Sequence, residues 1–244
     1  MASAGRALVV PALKQHTSTI IVAHGLGDSG AGWTWLAENW RRRGKFEETA
    51  FVFPSAASIP ITVSGGHNMP GWFDIVRPRS IPSNSLEEID FKEDETGLLR
   101  SREYFHSLIA AEIEKGIPSE RIVIGGFSQG GAMSLLSGTT CPTRLGGIFG
   151  LSCFLPLEYK LKDLVPKDNP NKDTKIFMGH GDADQVIRLE WGQRSANKLT
   201  EMGWTVDLKT YHGLPHSADP EEIDHLELYL KERIPDLGDK ASKA

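Results

Sequence analysis

Short apolar runs alternate along the chain with longer amphipathic segments. The runs are rich in β-branched residues, which is typical of strands that are covered on both faces of a parallel sheet. The longer segments repeat their apolar positions with the helical period. This alternation predicts an α/β fold in which a mostly parallel central sheet is flanked by helices. The predicted strands are 19–23, 49–53, 122–125, 147–151, 175–178 and 205–211, and the predicted helices are 33–43, 95–115, 129–137, 189–202 and 220–233.

A chain of 244 residues is long enough for one large α/β domain. No linker-like stretch and no internal repeat divides it, so we expect a single domain over residues 1–244, with its core at about 15–234 and a polar tail at 235–244. The longest irregular stretch is 77–94, which contains two prolines and several serines. A loop of this length is either a surface insertion or a lid over a functional site.

Charge and cysteine content narrow the class of protein. The net charge of −5 does not suggest nucleic acid as a partner, and the basic cluster at 41–45 fits the solvated end of a helix. The two cysteines, Cys141 and Cys153, lie in segments that are predicted to be buried, which favours a reducing compartment over a disulfide framework. The apolar residues 7–10 are too few for a signal-peptide core, and no run reaches the length of a membrane helix. We therefore expect a cytoplasmic protein without stable membrane insertion.

The strongest functional signal is the segment Ile-Val-Ile-Gly-Gly-Phe-Ser-Gln-Gly-Gly at 122–131. Its β-branched run ends in Gly126-Phe127-Ser128-Gln129-Gly130, and small residues follow directly. A Gly-x-Ser-x-Gly pattern between a strand and a helix is typical of a nucleophile elbow, a sharp turn with a serine at its apex. The glycines are needed because strand and helix approach closely there. The sequence therefore predicts Ser128 as a catalytic nucleophile.

A serine hydroxyl needs a histidine to take its proton and a carboxylate to orient that histidine. His216 lies in a loop between the last predicted strand and the last predicted helix, at the edge of the sheet where ligands bind in α/β folds. His212, at the end of that strand, is the alternative. The predicted base is therefore His216.

Two aspartates follow the strand 175–178 and are candidates for the acid. Asp184 is farther into the loop and freer to reach the histidine, whereas Asp182 could instead brace the turn through backbone N–H groups. A metal site that uses His180 with both aspartates is a further alternative, but no second cluster of ligands completes it. We therefore expect no metal.

The oxyanion of a tetrahedral intermediate needs two preorganised donors. The first is expected to be the backbone N–H of Gln129, directly after the nucleophile. The second should come from a loop after an early strand, and His24-Gly25-Leu26-Gly27-Asp28 is such a loop. Its two glycines allow the N–H of Leu26 to point into the site.

Taken together, six blocks of the chain resemble the acyl-protein thioesterases, which belong to the phospholipase/carboxylesterase group of α/β-hydrolases. The resemblance runs from about residue 15 to 234 and rests on the blocks 24–28, 69–74, 125–131, 151–156, 180–182 and 216–217. The segments 28–33 and 97–105 look most like fungal type 1 members. The stretch between 74 and 94 is longer than the family pattern. The lid behaviour and acyl-chain preference of the family are therefore the properties that the resemblance implies least for this chain.

The resemblance implies a serine hydrolase without a cofactor that removes palmitoyl groups from protein cysteines, in the cytoplasm and also the nucleus. It places the acid at Asp184, the base at His216 and the oxyanion donors at Leu26 and Gln129. The expected partners are S-acylated proteins, with lysophospholipids as an additional substrate class. The protein is expected to be a monomer or a weak homodimer.

Apolar residues near the predicted site are candidates for an acyl channel, although each of them, taken singly, fits the core better than the channel. A palmitoyl chain gains about 0.8 kcal/mol per buried CH₂, so even a partial channel favours long chains. A carboxylesterase or lysophospholipase is the alternative function, and a catalytically silent ligand receptor is a third, which the intact Ser128, Asp184 and His216 disfavour. The predicted substrate-binding residues are Trp33, Met69, Trp72, Phe154 and Leu155.

Overall fold

The computed structural model describes residues 5–76 and 93–238. The predicted lid or insertion at 77–94 therefore lies almost entirely outside the described residues. Within the described part, no helix is long and apolar enough to cross a membrane. The elements are β1 (Gly5–Val10), β2 (Ser18–Ala23), α1 (Thr34–Arg42), β3 (Thr49–Ser55), β4 (Ser58–Ile61), β5 (His67–Pro70), α2 (Glu95–Glu114), β6 (Ile122–Phe127), α3 (Gln129–Thr139), β7 (Gly147–Leu151), α4 (Leu161–Leu164), β8 (Ile176–Gly181), α5 (Leu189–Glu201), β9 (Val206–Tyr211) and α6 (Pro220–Arg233).

Seven strands form one sheet in the order β1-β3-β2-β6-β7-β8-β9. All neighbouring pairs are parallel except β1 and β3, which are antiparallel. Every predicted strand and helix is present, with bounds that differ by a few residues at most. The predicted mostly parallel sheet flanked by helices is confirmed.

Sequence reasoning missed four elements: β1, the antiparallel hairpin of β4 and β5, and the short helix α4. Strand β1 lies at the edge of the sheet, where Leu8 and Val9 are 39% and 48% exposed. It contains the short apolar run 7–10, which the sequence analysis compared only with a signal-peptide core. The four-residue strands of the hairpin are mostly exposed or half-buried. Short strands with so little burial show neither the alternation nor the apolar run that marks a strand.

Successive residues of the central strands enter opposite faces of the sheet, as the period of two requires. Each face is covered by helices, so both sets of side chains are buried, which explains the continuous apolar runs. One face holds Ile21, Ile124, Ile148 and Ile176 beside α2, α3 and α5. The other face holds Ile20, Val22, Val123, Phe149 and Phe177 beside α1 and α6. Both cysteines are buried and free.

The carboxyl ends of the parallel strands meet at one edge of the sheet. Ala23 is paired with Gly126, Phe127 with Leu151 and Gly181 with Tyr211, so β2, β6, β7, β8 and β9 all end at this edge. Open α/β sheets bind ligands outside this edge. The loops that follow these strands carry all of the residues predicted for catalysis.

Helix α6 carries a fully buried carboxyl group at Glu222. Burial, with a smaller contribution from the nearby carboxylate of Asp219, raises the pKa of Glu222 to about 8. In the unfolded chain the pKa of a glutamate is about 4.3, so between these two pKa values the native state holds a proton that the unfolded state has released. The stability that Glu222 contributes is therefore fully present below the unfolded-state pKa of about 4.3. It is lost as the pH rises through the native-state pKa of about 8.

We expect Glu222→Gln to become progressively more stabilising, relative to the wild type, as the pH rises from about 5 to about 8. The amide is neutral at every pH and does not have to retain a proton. Urea unfolding at several pH values measures the difference, and Glu221→Gln, at the exposed neighbouring position, is the matched control. A difference in unfolding free energy that does not vary with pH would contradict the prediction.

Candidate active site

Ser128 occupies the turn between β6 and α3 with φ 54° and ψ −121°. A side chain is strained in this region, which glycine alone adopts freely, and such strain is typical of functional sites. A Cβ added to Gly126 or Gly130 would overlap the carbonyl oxygen of Ala23 in β2, and that of Gly126 would also lie 2.7 Å from the carbonyl carbon of Gly130. The close approach predicted for these glycines is confirmed, and the neighbouring strand β2 contributes to it.

His216 hydrogen-bonds on one side to Ser128 and on the other to Asp184. The distance from His216 Nε2 to Ser128 Oγ is 3.0 Å, and that from His216 Nδ1 to Asp184 Oδ2 is 2.7 Å. Because an ionised carboxylate only accepts, Nδ1 carries the proton and donates to Asp184. Nε2 is then free to accept from the serine hydroxyl, which is the arrangement required to activate a serine.

Asp184 is buried, and its second oxygen is fixed by the backbone. Oδ1 accepts from the N–H groups of Val186 and Ile187, both at 2.9 Å. Burial raises the pKa of Asp184, but the hydrogen bonds from His216 and these N–H groups outweigh it, so the pKa lies below its ordinary value. The carboxylate is therefore held ionised, and only Oδ2 is presented to the histidine.

Asp182 and His212, the alternatives considered from the sequence, bond to each other instead. Asp182 Oδ2 lies 2.9 Å from His212 Nδ1, and Asp182 Oδ1 accepts from the N–H of Gly213 at 2.6 Å. The side chain of His212 is 99% exposed. The pair joins the loops after β8 and β9 at the surface, as expected of a residue that braces a turn.

The alternative metal site is not assembled in the described part of the chain. His180 is buried and donates from Nε2 to the carbonyl oxygen of Ile187 at 2.7 Å, while Asp182 faces His212 at the surface. Over residues 5–76 and 93–238, no three His, Cys, Asp or Glu side chains are grouped so that they could hold a metal ion.

Leu26 and Gln129, the residues predicted to carry the oxyanion donors, line the same cavity as Ser128. Gln129 is the first residue of α3, so its N–H has no intrahelical acceptor. The loop after β2 packs directly on the serine, since a Cβ added to Gly25 would lie 3.3 Å from the Cβ of Ser128. Gly27, with φ 81°, donates its N–H to the carbonyl of Pro70 at 2.8 Å and so fixes the far side of this loop.

Trp72 connects Gln129 to the loop that carries Leu26, through the carbonyl of His24, a role that sequence reasoning missed. Its backbone N–H donates to Gln129 Oε1 at 3.0 Å, and its indole Nε1–H donates to the carbonyl of His24 at 2.8 Å. Gln129 Nε2 in turn donates to the carbonyl of Phe73 at 3.0 Å. The sequence did hold one indication of this role, the tryptophan itself, because a buried indole N–H needs a hydrogen-bond acceptor.

A cavity of about 720 Å³ opens at Ser128 and His216. This volume lies within the usual range of ligand sites, about 300–1,000 Å³. Three of the predicted channel residues, Trp33, Phe154 and Leu155, line it, whereas Met69 and Trp72 do not. Trp72 is 2% exposed and packs against His24, Tyr104 and Phe105, so the structure places it in the core. Further apolar lining comes from Leu26, Phe73, Phe127, Ile187 and Trp191.

A strained serine between a central strand and a helix, at the carboxyl edge of a mostly parallel sheet, defines an α/β-hydrolase. The profile of the phospholipase/carboxylesterase family matches residues 4–234, and the chain belongs to this family. The predicted fold class and family resemblance are confirmed, and the protein is a hydrolase.

Similar proteins of this family carry more specific names. The acyl-protein thioesterase 1 of Emericella nidulans is 52% identical over 233 residues, which cover 93% of this chain and 95% of that protein. The acyl-protein thioesterase 1 of Neurospora crassa is 50% identical, with coverage of 97% and 95%. The crystal structure of Zea mays acyl-protein thioesterase 2 superposes with a TM-score of 0.80 at 28% identity and covers 94% of this chain.

Proposed function

We propose that this protein is an acyl-protein thioesterase, which hydrolyses the thioester between a palmitoyl group and a cysteine of a substrate protein. The observation that carries the proposal is the hydrogen-bonded series Ser128, His216 and Asp184, which opens into a large, mostly apolar cavity. The names of the fungal relatives and of the maize structure support the same activity. A reducing compartment, the cytoplasm and the nucleus, fits the two free cysteines.

In the first half-reaction, Ser128 Oγ attacks the thioester carbonyl while His216 Nε2 takes the hydroxyl proton. Asp184 stabilises the imidazolium that forms. The carbonyl oxygen becomes an oxyanion, which the backbone N–H groups of Leu26 and Gln129 bind. The carbon–sulfur bond then breaks, the cysteine thiol leaves with the proton from His216, and the acyl group remains on Ser128.

In the second half-reaction, His216 Nε2 takes a proton from water, which attacks the acyl-serine carbonyl. The same two N–H groups stabilise the second oxyanion. The serine–acyl bond breaks, Ser128 Oγ regains the proton from His216, and the free fatty acid leaves through the cavity. His216 takes or gives the proton in every transfer of both half-reactions.

The leaving group decides how demanding the first step is. A cysteine thiol has a pKa of about 8.5, so a thiolate leaves with little protonation, whereas an alkoxide needs more. A site that hydrolyses esters should therefore accept thioesters as well. Turnover of an S-palmitoylated peptide, its oxygen-ester analogue and lysophospholipid micelles, compared under the same conditions, tests the proposal. A lysophospholipid rate above the thioester rate would instead favour the lysophospholipase alternative.

Long-chain thioesters are expected to exceed acetyl thioesters in kcat/KM, because acyl-chain binding in the cavity offsets the cost of orienting the thioester. Phe154→Ala should lower kcat/KM for palmitoyl substrates by about tenfold, which corresponds to about 1.4 kcal/mol of lost contact, and leave acetyl substrates nearly unchanged. Trp72→Ala should lower both alike, because Trp72 lies under the oxyanion loop and away from the cavity wall. The measurement is kcat/KM of the wild type and both variants for thioesters of increasing acyl length, each assayed below its critical micelle concentration. A flat length profile in the wild type would contradict it.

Removal of divalent metal ions is expected to leave activity unchanged, because the proposed steps use only the serine, the histidine, the aspartate and two backbone N–H groups. Rates before and after dialysis against EDTA provide the measurement. Loss of activity in EDTA, with recovery on adding a divalent ion, would contradict the serine mechanism.

A further inference from the structure

His24 is a fully buried histidine at the end of β2 whose two ring nitrogens have different backbone partners. Nε2 lies 3.0 Å from the backbone nitrogen of Ala56, and Nδ1 lies 2.6 Å from the carbonyl oxygen of Gly25. A backbone N–H can only donate and a carbonyl can only accept. The ring is therefore neutral, with its proton on Nδ1 and a lone pair on Nε2. Burial lowers the pKa of His24, which is consistent with the neutral form.

The Gly25 carbonyl that His24 binds belongs to the same peptide unit as the N–H of Leu26. The unit is trans, so its C=O and N–H point in opposite directions within one plane. Fixing the carbonyl towards His24 therefore fixes the Leu26 N–H on the opposite side. A hydrogen bond to the carbonyl also polarises the peptide and strengthens the N–H as a donor.

The two ring nitrogens and the backbone carbonyl of His24 all form hydrogen bonds, so the position of the ring relative to this loop is fixed. Its own carbonyl accepts the indole N–H of Trp72, and the two rings pack with centroids 5.1 Å apart. The carbonyl of Gly25 receives one further bond, from the N–H of Asp28 at 3.3 Å, which is longer than the bond from His24. The histidine is thus the closer of the two donors that orient the peptide.

We propose that His24 is a positioning residue, which aims the Leu26 N–H at the oxyanion by binding the carbonyl of the same peptide unit. The inference rests on the proposed function, in which that N–H is an oxyanion donor. His24 itself touches neither substrate nor reacting atoms. Its effect should therefore appear in the transition state and leave ground-state binding of the substrate intact.

Two substitutions separate the two hydrogen bonds of the ring. In His24→Asn the side-chain amide lies near the position of Nδ1 and retains a donor to the Gly25 carbonyl. In His24→Gln the amide lies near the position of Nε2 and retains an acceptor for Ala56, but the donor to Gly25 is lost. His106→Gln is the matched control, because that histidine also bonds to a backbone carbonyl, that of Ser137, away from the cavity.

We expect His24→Gln to lower kcat by about 100-fold, as removal of an oxyanion donor does, with KM within about twofold. His24→Asn should retain at least ten times the kcat of His24→Gln, and His106→Gln should match the wild type. In His24→Gln, a trifluoromethyl ketone, which forms an oxyanion on Ser128, should lose affinity in parallel with kcat/KM. A non-hydrolysable thioether analogue should bind as in the wild type.

Equal losses of kcat in His24→Asn and His24→Gln, or equal losses of affinity for the ketone and the thioether, would overturn the proposal. If the variants do not fold, ¹⁵N NMR of the wild-type ring decides, because a proton on Nε2 would exclude the proposed bond and a proton on Nδ1 supports it. A wild type with no acyl-hydrolase activity and no labelling by a fluorophosphonate would instead refute the proposed function. An active wild type with an unaffected His24→Gln refutes only the role of His24.

Discussion

Replacing Ser128 with alanine is expected to lower kcat by at least about 10⁴-fold, the range seen when the nucleophile of a serine hydrolase is removed. The residual rate would come from the oxyanion donors and substrate binding. Alanine keeps the Cβ that is strained at φ 54°, so the melting temperature should stay near that of the wild type. Ser128→Gly should be equally inactive but more stable by about 1 kcal/mol, because glycine adopts this conformation without strain.

Single-turnover assays with an S-palmitoylated peptide, fluorophosphonate labelling and urea unfolding measure these effects. Ser134→Ala is the matched control, because it removes a buried hydroxyl from α3, the helix that follows Ser128, and this hydroxyl donates to the carbonyl of Gly130 at 2.8 Å. This control should remain active and labelled. Retention of more than a few per cent of wild-type kcat in Ser128→Ala, in a preparation free of wild-type enzyme, would contradict Ser128 as the nucleophile.

The parts of the fold that could be predicted are those buried on both sides. Strand β6 is buried from Ile122 to Gly126, and its neighbour β7 is buried throughout, so both appear in the sequence as uninterrupted apolar runs. Strand β1 was not recognised although residues 7–10 are all apolar, because a run of four residues is at the short limit for a strand and the sequence does not show what it pairs with. The hairpin of β4 and β5 is held by backbone pairing between residues that, apart from the buried Ile61, are exposed or half-buried, so it gives no apolar periodicity in the sequence.

The site was predictable where chemistry constrains the order of residues along the chain. A nucleophile elbow at Ser128 requires an acid and then a base downstream, and the loop positions favoured His216. The choice between Asp182 and Asp184 stayed open, because two residues of one turn can face opposite directions. The structure turns Asp184 inwards to His216 and Asp182 outwards to His212.

Sequence could not separate residues of the cavity wall from residues of the core. Phe154 and Trp72 are both aromatic and both lie in blocks that resemble the family, yet only Phe154 lines the cavity. The difference depends on tertiary packing, since the hydrogen bonds of Trp72 connect segments that are 48 and 57 residues away in the chain. The roles of Leu26 and Gln129 as oxyanion donors stay predictions, as does the single-domain boundary.

His216→Ala is expected to lower kcat by at least about 10⁴-fold, and Asp184→Asn by about 10⁴-fold. The asparagine keeps the geometry but reverses one hydrogen bond. With Oδ1 still facing the N–H groups of Val186 and Ile187, its amide N–H₂ faces His216 Nδ1 as a donor. The imidazole must then carry its proton on Nε2, where it cannot accept the proton of Ser128. The two losses should not multiply in the double variant, because the three residues act as a unit.

Asp182→Asn is the matched control, because it is the same change two residues away in the same loop. Asp182 holds the N–H of Gly213 and the ring of His212, so its loss should lower the melting temperature while kcat stays within about threefold. The opposite pattern, an inactive Asp182→Asn with an unchanged melting temperature beside an active Asp184→Asn, would reverse the assignment of the acid. Comparing kcat with melting temperature in both variants separates a carboxylate that orients the base from one that joins two loops.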